Sequence, residues 1–193
     1  VEVISSGDFL RFFMNSVIES TISVLITLGA GVPAAYSLAR FSFRFKNTIL
    51  GFLLMNRLIS PLSILVPMFV LFSFLNLLDT YFAMFAAYTQ LILGFSVIML
   101  QQFFAEIPSE LEEAAMIDGC TRFGALLRVV LPLAAPGIAA TAILSFIFCW
   151  NDFVYALILT SQNAKTITLT VYNFMYYEAV HWGAIMADGI LIT

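Results

Sequence analysis

Four stretches of this chain, residues 21–39, 58–78, 80–105 and 129–151, carry no charged side chain at all. Each is about as long as the ~20 apolar residues a helix needs to cross the hydrocarbon core of a bilayer. Lipid offers no hydrogen-bond partner to a backbone N–H or C=O, so a spanning segment of this length must pair its own groups, as a helix does. The runs do not alternate apolar with polar residues, as the strands of an outer-membrane barrel would. Composition agrees: 62% of residues are hydrophobic and 10% charged, with a mean hydropathy of +1.01, whereas soluble domains are about a quarter charged. The fold class expected is an all-α polytopic membrane protein built as one domain.

The spans are placed at about residues 15–39, 48–74, 81–104 and 133–159, with a last one starting near Trp182 and running to 193. Their connections differ in charge. Arg40, Arg44 and Lys46 lie between the first two spans, and Arg122 and Arg128 between the third and fourth. The turn at 76–80 has no Lys or Arg, and the segment after the fourth span has only Lys165. The positive-inside rule therefore puts the first and third connections in the cytoplasm, with Arg11 as the one misfit. Cys120 and Cys149 then face no oxidising compartment, so no disulfide is expected. A net charge of −4 gives no nucleic-acid signal. The chain begins without Met, shows no basic-then-apolar leader and stops inside an apolar run. It reads as an internal piece of a longer protein, truncated at both ends.

A charged insert at about 106–131 interrupts this pattern. Ser109 with Glu112 three residues later has the form of a capping box, and Glu110, Glu112 and Glu113 suit the positive end of a helix dipole. Gly119 fits a helix stop and Thr121 a second cap. Two short helices around a glycine turn are expected. A surface helix lying on lipid headgroups would be rich in Lys and Arg, which this one is not. A DNA-reading helix-turn-helix would be repelled from phosphate by four acids. The small residues Ala114 and Ala115 suit a third reading, an element that another protein docks against.

Glu113-Ala114-Ala115, three residues, Gly119, nine residues, then Val129-Val130-Leu131-Pro132 resembles the EAA motif of ABC-importer permeases, with Val129 in place of the usual Ile. Asn15-Ser16, Leu77-Leu78-Asp79-Thr80, Trp150-Asn151-Asp152, Lys165-Thr166 and Trp182-Gly183-Ala184 are similar to the carbohydrate-importer branch, which includes the maltose permeases. The resemblance implies a type I ABC-importer permease-like helical bundle, with a span missing before Val1 and half of one after Thr193. It implies that the insert is a cytoplasmic coupling helix, with Glu113, Ala114, Ala115, Asp118 and Gly119 as ATPase-coupling residues and Leu131 and Pro132 closing the motif. Implied partners are a second permease subunit, a cytoplasmic ABC ATPase dimer and an extracytoplasmic solute-binding protein, in a bacterial or archaeal cytoplasmic membrane. The implied solute is a carbohydrate or related polyol. ATP with Mg belongs to the partner ATPase, and no cofactor to this chain. The residues agree: neither Lys46-Asn47 nor Lys165-Thr166 completes a phosphate-cradling G-x-x-x-x-G-K-[ST] loop.

Arg57, Asn151 and Asp152 are charged or polar residues within or beside apolar spans. Such groups usually pair or meet water, so they are candidates for the pathway or a subunit interface. For Arg57 the alternative is snorkelling to the inner headgroups, and for Asn151 and Asp152 a purely structural hydrogen bond. Asp188 poses the same question. The single histidine, His181, with Glu178 makes no metal site, and no serine lies in a G-x-S-x-G elbow. An enzyme is not expected. An ion-gradient-driven secondary transporter, with Asp152 and Asp188 as its relay, and a non-transporting membrane scaffold are the competing functions.

Overall fold

Where the backbone can stay helical is decided by the prolines, by the glycine at 119 and by a few polar residues. The computed structural model describes residues 7–169, with side chains from residue 9 onward; the last span, Trp182-Gly183-Ala184 and Asp188 lie outside the described residues. Every regular element among the described residues is helical: α1 Gly7–Arg40, α2 Lys46–Leu58, α3 Pro61–Phe74, α4 Tyr81–Glu106, α5 Glu110–Ile117, α6 Arg122–Ala125, α7 Leu131–Trp150 and α8 Val154–Leu159. A π-helical stretch, Leu126–Val130, joins α6 to α7. Three helical segments are long and apolar enough to cross a membrane, Phe9–Arg40, Tyr81–Glu106 and Arg122–Trp150.

The stretch expected as one span over 48–74 is two helices. Pro61 opens α3, and the residues before it, Ile59 (φ −72°, ψ 131°) and Ser60 (φ −57°, ψ 133°), are extended. Proline's ring disfavours helical geometry in the residue before it, and its missing N–H is tolerated only in a first turn. The stretch expected over 133–159 also breaks, at 151–153, between α7 and α8. By contrast Pro33, Pro67 and Pro136 lie inside α1, α3 and α7 without ending them.

The chain divides into two compact units, and α1, α4 and α7 contribute to both. In the first, the described residues are 7–24, 60–91 and 146–169. Its centre is Leu65, Met84, Tyr88, Tyr155, Leu159 and Ile167. The loop after α8 is held there by hydrogen bonds. Asn15 Nδ2 donates to the carbonyls of Asn163 and Lys165, both at 2.9 Å, and Ile167 N–H donates to Ser16 Oγ at 2.8 Å. Arg11, the topological misfit, donates to Asn163 Oδ1 at 3.2 Å.

The second unit comprises Leu25–Ile59 and Ile92–Ser145. Its core packs Ala35, Tyr36 and Leu38 of α1 against Val97, Leu100 and Phe104 of α4 and Leu126, Val130 and Ala134 beyond α6. Gly137 allows α7 to come in close, because a Cβ there would sit 2.4 Å from the Phe103 ring.

Sidedness is inverted relative to a soluble bundle. On α1, Ser16, Glu19, Ser20, Ser23 and Thr27 are buried while Leu10, Leu25 and Ile26 are exposed. On α7, Thr141 and Ser145 are buried and Ile143, Ile147 and Phe148 exposed. Water would penalise such apolar surface, whereas lipid accepts it and drives polar side chains inward.

Candidate functional site: the charged insert

The insert is a short helix with well-defined stops at both ends. α4 ends at Glu106, ahead of Ile107-Pro108, and the N–H groups of Glu112 and Glu113 donate to the Ser109 carbonyl at 3.0 and 3.1 Å. The expected capping box does not form. Ser109 is helical in φ and ψ, not in the extended backbone that a capping hydroxyl needs, and Glu112 is engaged by tertiary partners instead.

At the other end, Cys120 N–H donates to the Ala115 carbonyl at 3.0 Å and Gly119 N–H to Met116 at 3.1 Å. These are the two bonds of a Schellman motif, and the residue between them must be left-handed. Gly119 has φ +92°, where a Cβ would be strained. Thr121 then caps α6 through Gly124 N–H at 3.1 Å, as its spacing predicts. The π-helical stretch follows from Pro132, which lacks an N–H and whose ring would clash with the carbonyl four residues back. Widening the turn relieves that clash, and Leu131 N–H reaches the Leu126 carbonyl instead.

The two ends of the motif differ in exposure. Glu113, Ala114, Asp118 and Gly119 are exposed and Ala115 is half-buried, beside Ile117 at 86% and Phe123 at 68% exposed. Leu131 is half-buried against the core of its unit, while Pro132 is exposed. So the first half of the motif presents a surface and the second half helps anchor it.

Sequence reasoning missed the anchor. Glu112 is 6% exposed, and its Oε2 accepts from Tyr36 OH at 2.8 Å while Oε1 pairs with the Arg40 guanidinium. Arg40 also donates from Nη2 to the Ile107 carbonyl at 2.8 Å. Tyr36 sits edge-on to Phe104 and Phe41, and the Arg122 guanidinium lies 5.2 Å above the Phe41 ring. The only available signal was the Arg at the end of an apolar span, and nothing local says which of three glutamates it selects.

The other candidates sit in different surroundings. Arg57, in the last turn of α2, is exposed with its guanidinium 4.8 Å above the Phe95 ring. Asn151 is exposed, and its Nδ2 donates to the Ile147 carbonyl at 2.9 Å. The Asp152 carboxylate accepts from Tyr155 and Ala156 N–H at 3.0 and 3.3 Å, starting α8, and its carbonyl accepts from Thr168 Oγ1 at 2.8 Å. Glu19, also overlooked in the sequence, is fully buried on α1, and neither of its carboxyl oxygens has a hydrogen-bond partner among the described residues.

Among the described residues no cluster of His, Cys, Asp and Glu could hold a metal ion. The insert is an exposed helix with apolar and acidic side chains, tied through one buried carboxylate to the ends of two long apolar helices.

Comparison with known proteins gives the same direction from three sides. Residues 28–193 match the family described as binding-protein-dependent transport system inner membrane component. The chain is 38% identical over 177 residues to the sulfoquinovosyl glycerol transport system permease protein of Agrobacterium fabrum, covering 91% of this chain and 62% of that one. It is 36% identical to the trehalose transport system permease protein of Mycobacterium tuberculosis, covering 97% and 70%. Among solved structures, a bacterial ABC transporter that imports the acidic polysaccharide alginate matches with a TM-score of 0.77 at 26% identity, over 96% of this chain and 66% of that one. The inward-facing MetNI methionine ABC transporter, at 20% identity and a TM-score of 0.75, shares the fold. The chain thus spans about three-fifths of the length of the first of these relatives.

Proposed function

The chain belongs to the family of binding-protein-dependent transport system inner membrane components, and from that premise we propose that it is a permease subunit of an ATP-driven importer for a carbohydrate or related polyol. The observation that carries the proposal is the insert itself. Its motif residues form an exposed helix, stopped by a left-handed Gly119 and tied by Glu112 to Tyr36 and Arg40. A helix so presented suits a cleft on a cytoplasmic ATPase. Glu113, Ala114, Ala115, Asp118 and Gly119 meet that partner, while Leu131 and Pro132 fix the helix behind it.

The rest of the assembly belongs to the same proposal. Residues 1–193 complete no phosphate-cradling loop, and ATP with Mg is assigned to a pair of ABC ATPase subunits. One bundle of this size forms half a pathway, so a second permease subunit completes it. An extracytoplasmic solute-binding protein delivers the solute. The solute class is supported by relatives named for sulfoquinovosyl glycerol, trehalose and diacetylchitobiose transport. Exposed Arg57 and Asn151 are assigned to the pathway or the subunit interface, with Asp152 fixing the break that presents Asn151.

The test is Gly119→Trp in the full-length protein, assayed for uptake of a panel of radiolabelled disaccharides and for membrane insertion. Uptake is lost with insertion intact if the helix docks as proposed. Normal uptake in the variant would overturn the docking role.

A further inference from the structure

We propose that Glu112 is the strut through which the insert moves the membrane helices, a positioning residue separate from the exposed motif residues; the inference rests on the coupling function proposed above. Consider how α5 is connected. On one side lies the short link 107–109, with Pro108 in it, and on the other the Gly119 turn. A load applied to the exposed side of α5 would be absorbed by bending in these links unless something stiffer bypassed them.

Glu112 is that bypass. Glu110, Leu111 and Glu113 are exposed, so of the three glutamates in the first turn only Glu112 faces inward. At 3.6 residues per turn, neighbours on a helix point about 100° apart, so adjacent acids serve different surfaces: Glu113 outward, Glu112 inward. Both oxygens of Glu112 are engaged, one by Tyr36 and one by Arg40. Through Arg40 the same carboxylate reaches the Ile107 carbonyl at the end of α4, and through Tyr36 and Phe41 it reaches Phe104 and Arg122. One buried group therefore joins the ends of α1 and α4 to both helices of the insert. Charge-assisted bonds in a site of low dielectric are short and directional, and removing one partner leaves the other charge buried and unpaired. Movement of α5 consequently arrives at α1 and α4 as displacement.

The experiment uses the complete complex of full-length permease, partner permease and ATPase pair, with Cys120 and Cys149 replaced by serine. One spin label is placed at exposed Ile26 of α1 and a second on a surface helix of the partner permease subunit. Distance distributions are recorded without nucleotide and with Mg-ATP plus vanadate. The unaltered complex shifts its distribution on trapping. Glu112→Ala removes most of that shift, the population reaching the trapped distance falling at least about tenfold for a lost coupling of the usual size. Should Glu112→Ala fail to assemble, Glu112→Gln keeps the shape and the Tyr36 bond, drops the ion pair and shows the same loss. A full shift in an assembled Glu112→Ala or Glu112→Gln complex, with only the thermal midpoint lowered, would overturn the strut. An unaltered complex that binds no ATPase or shows no shift would overturn the coupling function instead, so the two failures are distinguishable.

Discussion

Two carboxylates organise two regions of this protein, and they do it by opposite means. Asp79 sits in the turn after α3 with φ +59°, and its oxygens accept from the backbone N–H groups of Ser161, Gln162, Asn163 and Ala164 at 2.8–3.2 Å. Its own N–H donates to the Leu159 carbonyl at 2.9 Å. Glu112 holds no backbone group; it is gripped by the side chains of a tyrosine and an arginine. A nest of four main-chain donors locks a loop into one conformation, since each is fixed to the chain, and Asn163 Nδ2 adds a side-chain bond at 3.1 Å. Two side chains from one helix that grip a carboxylate on another make the two elements move together. The first device suits a static rim and the second a moving part.

Several substitutions break or sharpen this contrast. Glu112→Ala should cost most, about 3–5 kcal/mol, because it strands the Arg40 charge in a site where both side chains are nearly buried. It should show as a large drop in the thermal unfolding midpoint in detergent. Asp79→Ala removes the acceptor for four N–H groups that water can partly reach, and should cost about 2–3 kcal/mol in the same measurement. It leaves the insert intact, so ATPase co-isolation should not change. If Asp79→Ala instead lost the ATPase, the roles assigned to the two regions would be wrong.

Smaller effects follow at the helix stop. Gly119→Ala forces a Cβ into φ +92° and should cost about 1–2 kcal/mol. Thr121→Ala loses the bond to Gly124 N–H and should cost about 1 kcal/mol. Asp79 also carries a pH dependence. Burial would raise the Asp79 carboxyl, but the N–H groups of Ser161, Asn163, Ala164 and Gln162 outweigh it and hold it below the usual carboxylate range. A depressed folded value means the stabilisation is fully present above the unfolded value of about 3.9 and is lost as the pH falls through the folded one. Asp79→Asn should lack this part of the acid limb in a pH series of unfolding midpoints.

How much of this could be read from the chain depends on the range of the interaction. Uncharged runs reveal spanning helices because lipid imposes length and polarity on each segment separately. Gly119 and Thr121 were legible for a similar reason, as a left-handed stop and a hydroxyl cap are decided within a few residues. The break at Pro61 carried its signal in the proline, yet the apolar run on either side hid it. Ser109 and Glu112 spell a local cap that the fold declines in favour of Arg40, some 72 positions away. Apart from the Asn163 side-chain amide, the donors to Asp79 are backbone N–H groups 82–85 positions away, and these leave no mark in the residue types. Long-range partners chosen among several equal acids were out of reach; local geometry was not.

The most direct measurement of the central claim, that the insert couples this permease to an ATPase, is affinity isolation of the tagged full-length protein from its native membrane in mild detergent, with mass spectrometry of what accompanies it. The account predicts an ABC ATPase and a second permease subunit in the isolate, with the ATPase lost from Gly119→Trp. A protein that isolates alone, and whose uptake follows an ion gradient and ignores ATP, would contradict it.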